Sequence, residues 1–390
     1  MSDAEAIVRD TLCNIAKEQN IHNYNVILKA ISTGGANYTS KLFLGKITGD
    51  KEINVFAKIA ALGEKLRAQS PMKMYDSERY FYTYLMKVYN DLEQKNGLSE
   101  GERLKLPIFY GCNPKLYEET IVLQDLGHCG YTTHDRMKSF DWEYASTSVT
   151  VLAKFHALSI AYQKNNKEAF DADIVQLKAD FEKNEGSMEE IWGNFIKTSL
   201  EAVNEEHRDK MNRYLETNFK KEHYRELSEA KKVQIIMHGD FRPSNLMHKK
   251  LEDGKLEVIP VDFQTLRGGS PIVDLMYFIF TGSDEDFRRK YYDQLVQHYY
   301  TELRAAIIRL GVDPGCYTKE DFDEELKEKL PFGLLVAIFL LPIVTVEAEN
   351  APQVDENMEM TSFVIQKRGQ LFPERFNGII NDYVRWGVLT

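Results

Sequence analysis

The sequence predicts an α+β chain, with a small β-rich N-terminal part followed by a larger helical part. Three observations predict it. Short alternating runs separated by Gly-containing turns come first; helical periodicity dominates after Gly127; and a small β element is embedded in the helical half. The 390 residues are 43% hydrophobic and 28% charged, an ordinary globular balance that excludes wholesale disorder. A chain of this length suggests two or three units and buries enough core to need no disulfide or metal staples.

Taken in order, residues 5–19 form an amphipathic helix with Val8, Leu12 and Ile15 on one stripe. Asn25–Ile31, Lys41–Thr48 and Ile53–Ile59 read as strands of an antiparallel meander, broken at Gly34-Gly35 and Gly49-Asp50. Residues 72–90 form a helix whose stripe is Tyr75, Glu78, Tyr82, Leu85 and Tyr89. A strand pair is expected at Leu106–Tyr110 and Thr120–Leu123, and a long helix at 141–163. The charged stretch 165–232 reads as solvated helices or an insertion. Val233–Met237 and Leu256–Val261 are expected to pair through the turn Asp253-Gly254, and helices fill 271–310 and most of 319–383. The uncharged run Leu330–Val346 is at the short limit for a bilayer and contains Pro331, Gly333 and Pro342, so it reads as a buried helix with Pro331 in its first turn. The two parts divide into an N-terminal lobe, 1–124, and a C-terminal lobe, 125–390.

The net charge of −11 disfavours a nucleic-acid partner, which needs a basic face. Cys13, Cys112, Cys129 and Cys316 are scattered without metal-ligand spacing and read as thiols of a reducing compartment. The acidic N-terminus lacks a signal-peptide apolar run, so cytoplasmic location is the expectation. No membrane association and no obligate protein partner are expected.

The strongest chemical signal is His238-Gly239-Asp240-Phe241-Arg242-Pro243-Ser244-Asn245, which follows an apolar run. Asp240 and Asn245 lie on one loop, and a second strand ends in Asp262-Phe263-Gln264. Either Asp alone reads as a turn cap. Two carboxylates and an amide oxygen together make an oxygen-rich site suited to Mg²⁺, which prefers one or two carboxylates plus substrate phosphates. In Ile53–Ile59, Lys58 shares a face with Asn54 and Phe56, opposite Val55, Ala57 and Ile59. Alone, Lys58 reads as a snorkelling lysine. Glu78, however, sits on the apolar stripe of the next helix, where pairing with Lys58 would offset its desolvation. The polar turn around Gly34, Gly35, Asn37 and Tyr38 reads either as a hairpin loop or as a phosphate cradle.

Together these pieces resemble the protein-kinase-like bilobal fold of aminoglycoside and choline kinases, and more closely the ecdysteroid-kinase-like family. The resemblance rests on Gly34-Gly35-Ala36-Asn37-Tyr38, Lys58, Glu78, Val122–Leu126, His238 to Asn245, Asp262-Phe263-Gln264 and Asp274-Leu275, and spans about residues 25–345. It implies ATP between the lobes, with adenine against Gln124, Asp125 and Leu126, and phosphates on the Gly34–Tyr38 turn and on Lys58 held by Glu78. It further implies Mg²⁺ on Asn245 and Asp262, Asp240 taking the acceptor proton, and Asp274 and His238 supporting the catalytic loop. His156 reads as a satisfied core histidine. Only Thr265–Ser270 separate Gln264 from Pro271, too short a segment to seat a peptide, so a small alcohol fits better than a protein. Family resemblance favours an ecdysteroid, phosphorylated at a side-chain hydroxyl such as the 22-hydroxyl to an inactive conjugate. A hydroxylated xenobiotic, a choline-like alcohol, or a catalytically dead kinase-fold binding protein are the alternatives.

Overall fold

The computed structural model describes residues 3–31, 39–70, 73–178, 185–218, 226–351, 362 and 369–390. The chain opens with α1 (Asp3–Glu18) and strands β1 (Asn25–Ile31), β2 (Ser40–Thr48) and β3 (Glu52–Ala60). Then come α2 (Glu64–Gln69) and α3 (Met74–Tyr80), continued by a π-helical turn (Phe81–Leu85) into α4 (Met86–Lys95). β4 (Phe109–Asn113) and β5 (Thr120–Gln124) complete a five-stranded antiparallel sheet in the order β1-β2-β3-β5-β4. The alternation in β3 decides which face is covered. Val55, Ala57 and Ile59 pack with Val8, Leu12 and Ile15 of α1 in one apolar cluster, so Lys58, pointing the other way, faces the rest of the molecule.

After β6 (Thr132–Thr133), the helices α5 (Trp142–Asn165), α6 (Lys167–Gln176), α7 (Glu185–Ala202) and α8 (Glu205–Asn218) follow. The short strands β7 (Ile235–Met237), β8 (Leu246–Lys250), β9 (Leu256–Pro260) and β10 (Arg267–Gly269) frame the loops that carry the motifs. Next are α9 (Pro271–Gly282), α10 (Glu285–Arg309), α11 (Lys319–Phe339), α12 (Leu341–Val344) and α13 (Leu371–Arg385). Ser270 caps α9 by accepting from the Ile272 N–H, with Pro271 filling the first turn. Every residue of α9 is buried, which is why it reads as apolar all round apart from Asp274, Thr281 and the Tyr277 hydroxyl. The fold is thus an antiparallel sheet in the N-terminal part and helices in the C-terminal part, as expected.

Three local expectations are corrected. Leu256–Pro260 pairs with Leu246–Lys250, whereas Ile235–Met237 pairs with Arg267–Gly269. The turn at Asp253-Gly254 therefore closes a hairpin that begins immediately after Asn245. Pro331 lies inside α11 rather than in a first turn. The first strand of the β4–β5 pair is Phe109–Asn113, shifted C-terminally from the expected Leu106–Tyr110. Among the described residues no helix is long and apolar enough to cross a membrane, and Phe332 to Ile338 are buried.

Candidate active site

The site is assembled where β3, α3 and the loops after β7 and β9 meet. Lys58 extends from β3 with its ammonium 2.9 Å from Glu78 Oε2 on α3 and 2.5 Å from Asp262 Oδ1. Lys58 is 6% exposed and Glu78 2%, so water does little to screen the pair. Burial alone would lower the Lys58 pKa, but Asp262 and Glu78 outweigh it and raise it above the ordinary lysine value. For Glu78 burial dominates: despite Lys58, its carboxyl is pushed up to about 6. Gln264 completes the knot. Its Oε1 accepts from Lys58 at 3.4 Å and from the Thr39 hydroxyl at 3.2 Å, tying β2 to the segment after β9.

Asp262 holds a backbone φ of +69°, a left-handed conformation that costs a non-glycine residue and is retained where the surroundings over-determine it. Phe263 supplies that constraint. It is fully buried, stacks on Phe81 at 3.6 Å and 13°, and lies 4.8 Å from the His238 ring. Phe81 belongs to the π turn, so the irregularity in the Glu78 helix is where the Asp262 segment docks.

The loop after β7 presents Asp240, 8% exposed. Its Oδ1 accepts from the Tyr277 hydroxyl at 2.7 Å and lies 2.9 Å from Arg242 Nε; its Oδ2 accepts from Asn245 Nδ2 at 2.8 Å. Asn245 Nδ2 also donates to the Asp240 carbonyl at 2.9 Å. With the amide nitrogen so committed, Oδ1 of Asn245 is left as an acceptor. Its carbonyl accepts from the Val261 N–H at 2.9 Å, which holds Asn245 beside Asp262 through the β8–β9 hairpin.

Asp274 is fully buried and accepts from the His238 and Gly239 N–H groups at 2.7 and 2.9 Å. His156 Nε2 lies 3.1 Å from the same carboxylate and His156 Nδ1 2.6 Å from the Tyr299 hydroxyl. A carboxylate only accepts, so Nε2 is assigned the proton and Nδ1 accepts from Tyr299. Burial lowers the His156 pKa, keeping it neutral; burial also opposes the Asp274 charge, but His156, His238 and the Gly239 amide hold its carboxyl below the usual range. His238 is fully buried, with Nε2 donating to the Val261 carbonyl at 3.1 Å and Nδ1 accepting from the Asp240 N–H at 3.3 Å. Gly239 has φ +80°, and a Cβ there would lie 2.3 Å from the Thr265 carbonyl, so only glycine fits.

Gln124, Asp125 and Leu126 form the link from β5 into the helical part. Gln124 and Asp125 donate to the Ile108 and Asn54 carbonyls, while the Leu126 N–H donates to no backbone carbonyl among the described residues. The structure therefore brings Lys58, Glu78, Asp240, Asn245, Asp262, His238 and Asp274 into one connected region. Gly34, Gly35, Asn37 and Tyr38 lie outside the described residues. Sequence reading missed Tyr277 and Arg242; Arg242 alone carried a signal, being two residues after Asp240 in the quoted motif. The oxygen donors of Asn245 and Asp262 fit a hard cation completed by phosphate, and among the described residues no group of three or more His, Cys, Asp or Glu makes an all-protein cage.

A sheet lysine bridging a helix glutamate and an aspartate after a hairpin, beside a loop aspartate–asparagine pair, defines a kinase-like fold. The chain belongs to the ecdysteroid kinase-like family, whose profile matches residues 34–312. No curated protein matches it. Similar solved structures include a microcompartment-associated aminopropanol kinase, at 11% identity and a TM-score of 0.48 over 97% of this chain and 99% of that one. Another is the Plasmodium vivax ethanolamine kinase, at 10% identity and a TM-score of 0.46 over 93% and 83% of the respective chains. A third is an aminoglycoside 2'-phosphotransferase variant with GDP, at 10% identity and a TM-score of 0.45 over 97% and 99%.

Proposed function

We propose that the protein is an ATP-dependent small-molecule kinase that phosphorylates a hydroxyl of an ecdysteroid, at a side-chain position such as the 22-hydroxyl. The observation that carries the phosphotransfer reading is Lys58, whose ammonium touches both Glu78 and Asp262, a partner 204 positions away in sequence. The ecdysteroid rests on family membership. In this reading residues 1–124 form the nucleotide-binding lobe and 125–390 the catalytic and acceptor lobe. Adenine lies against Gln124–Leu126, with the Leu126 N–H as donor. Lys58, oriented by Glu78, binds the α- and β-phosphates. Asn245 and Asp262 hold Mg²⁺, which neutralises charge on the phosphates when bound.

Asp240 accepts the hydroxyl proton as the acceptor oxygen bonds to the γ-phosphorus. The bond from that phosphorus to the β-phosphate oxygen breaks, and ADP departs with its electron pair. Tyr277, Asn245 and Arg242 fix the Asp240 carboxylate, so the chemistry is mainly positioning around a loose transition state. Asp274 and His238 hold the loop from below. The test is incubation with ATP, Mg²⁺ and a panel of ecdysteroids, hydroxylated xenobiotics and choline-like alcohols, followed by mass spectrometry for one added phosphoryl group. Phosphorylation of an ecdysteroid is the expected result. Product from another alcohol only refutes the acceptor assignment, and no product from any alcohol refutes the enzyme.

A further inference from the structure

Arg267 has no part in the site as assembled so far. It stands opposite Met237 where β10 pairs with β7. Its guanidinium packs on the turn that presents Asp240, for a Cβ on Gly239 would come within 2.4 Å of Arg267 Nη1. Arg267 is 7% exposed. A guanidinium carries five N–H donors. Among the described residues it makes one long hydrogen bond, Nη1 to the Thr265 carbonyl at 3.3 Å, and no carboxylate lies within ion-pair distance. The neighbouring acids are engaged elsewhere: Asp240 by Tyr277, Arg242 and Asn245, and Asp274 by His156 and two backbone amides. A buried guanidinium without a counter-charge is costly, and a fold retains one where an anion completes it.

The position sets this charge against the turn that presents Asp240. The buried Tyr277 hydroxyl that donates to Asp240 feels both Arg242 and Arg267. We infer that Arg267 is a receptor for an oxyanion beside the turn that presents Asp240. Two sources share that chemistry: the phosphoryl group as it reaches the acceptor, and a carboxylate, sulfate or phosphate already on the acceptor. Only the choice between them rests on the kinase reading.

The experiment compares wild type with Arg267→Met, which keeps the aliphatic bulk, and Arg267→Lys, which keeps a charge. Thermal unfolding of the nucleotide-free protein is followed against inorganic phosphate. Phosphate is expected to stabilise wild type, Arg267→Met to weaken that binding at least tenfold, and Arg267→Lys to retain part of it. The melting temperature of free Arg267→Met is expected to equal or exceed that of wild type, because an uncompensated charge has been removed. A phosphate response undiminished in Arg267→Met, absent in wild type, or a clearly lower melting temperature of the free variant overturns the inference. If Arg267→Met does not fold, loss of the phosphate response in folded Arg267→Lys supports the inference and full retention overturns it.

Kinetics distinguish the sources. A fall in kcat of at least tenfold with unchanged acceptor KM assigns the moving phosphoryl group; a tenfold rise in KM confined to anionic acceptors assigns the acceptor. Neither change, in an enzyme that turns over, overturns the role. The phosphate titration needs no turnover, so binding through Arg267 without phosphorylation of any alcohol sinks the kinase reading alone.

Discussion

Neutralising Glu78 separates the two jobs of its carboxylate, which is buried at a cost and orients Lys58. In Glu78→Gln the side chain keeps its shape, and Lys58 keeps Asp262 at 2.5 Å, so no buried ammonium is stranded. The usual penalty for breaking a buried pair, about 3–5 kcal/mol, is therefore not expected here. The Glu78 carboxyl titrates near 6 in the fold against an ordinary 4.5, a difference worth about 2 kcal/mol. Its folded pKa is raised, so its contribution to stability is full below pH 4.5 and is lost as pH rises through about 6. Wild type should thus lose up to about 2 kcal/mol between pH 4.5 and pH 7 from this group, and Glu78→Gln should lack that component. Function runs the other way. Below pH 6 Glu78 takes up a proton and loosens its hold on Lys58. One charged hydrogen bond of about 1.5 kcal/mol corresponds to roughly a tenfold rise in ATP KM. The assay is denaturant unfolding and ATP KM for both proteins from pH 5 to 8. Glu78→Gln should show at pH 7.5 the KM that wild type shows at pH 5. A variant destabilised by several kcal/mol at pH 7.5, or a wild-type KM flat across that range, refutes the reasoning.

Three further outcomes follow from the same geometry. Asp240→Asn should bind ADP as wild type does while kcat falls by about 10²–10⁴, the usual contribution of a positioned base, measured by calorimetry and product formation. Asp274→Asn replaces a buried acceptor of two backbone N–H groups; unfolding should show a loss of about 1.5–3 kcal/mol, with kcat reduced and ATP KM little changed. Asp262→Ala frees the Lys58 ammonium from its closest partner, so ADP titrated in the presence of a chelator should bind several-fold tighter than to wild type, while turnover with Mg²⁺ disappears.

The meander of β1, β2 and β3 was legible because its strands run seven to nine residues between turn signals, whereas β4, five residues without alternation, was expected three residues too early. Glu78 was legible for a related reason, as an acid on an apolar stripe has few explanations besides a buried partner. Leu246–Lys250 was not legible as a strand: five residues ending in His248-Lys249-Lys250 give too little alternation beside the more apolar Ile235–Met237. Pro331 was misplaced because the charged turns before it, from Lys319, belong to the same helix as the apolar turns after it. No period marks the π turn at Phe81–Leu85, where Phe81 stacks on Phe263. Tyr277 and Arg267 escaped because each looks ordinary within its own element; their significance comes from the Asp240 turn, which only the tertiary fold brings beside them.

The contact between Lys58 and Asp262 also says how the site must operate. At 2.5 Å the ammonium and carboxylate leave no space between them, yet in the proposed mechanism a phosphate and a cation belong there. Nucleotide binding must therefore exchange one internal ion pair for two external ones, Lys58 to phosphate and Asp262 to cation. Charge balance makes that exchange feasible, since the incoming pair is itself oppositely charged and each buried group keeps a counter-ion. What must stay fixed during the exchange is the backbone around Asp262, and the structure anchors it from sides that do not depend on Lys58: Phe263 in its aromatic nest and Val261 on both His238 and Asn245. The ion pair is thus free to part while the loops carrying Asp240, Asn245 and Asp262 hold their places, as transfer between precisely positioned oxygens demands.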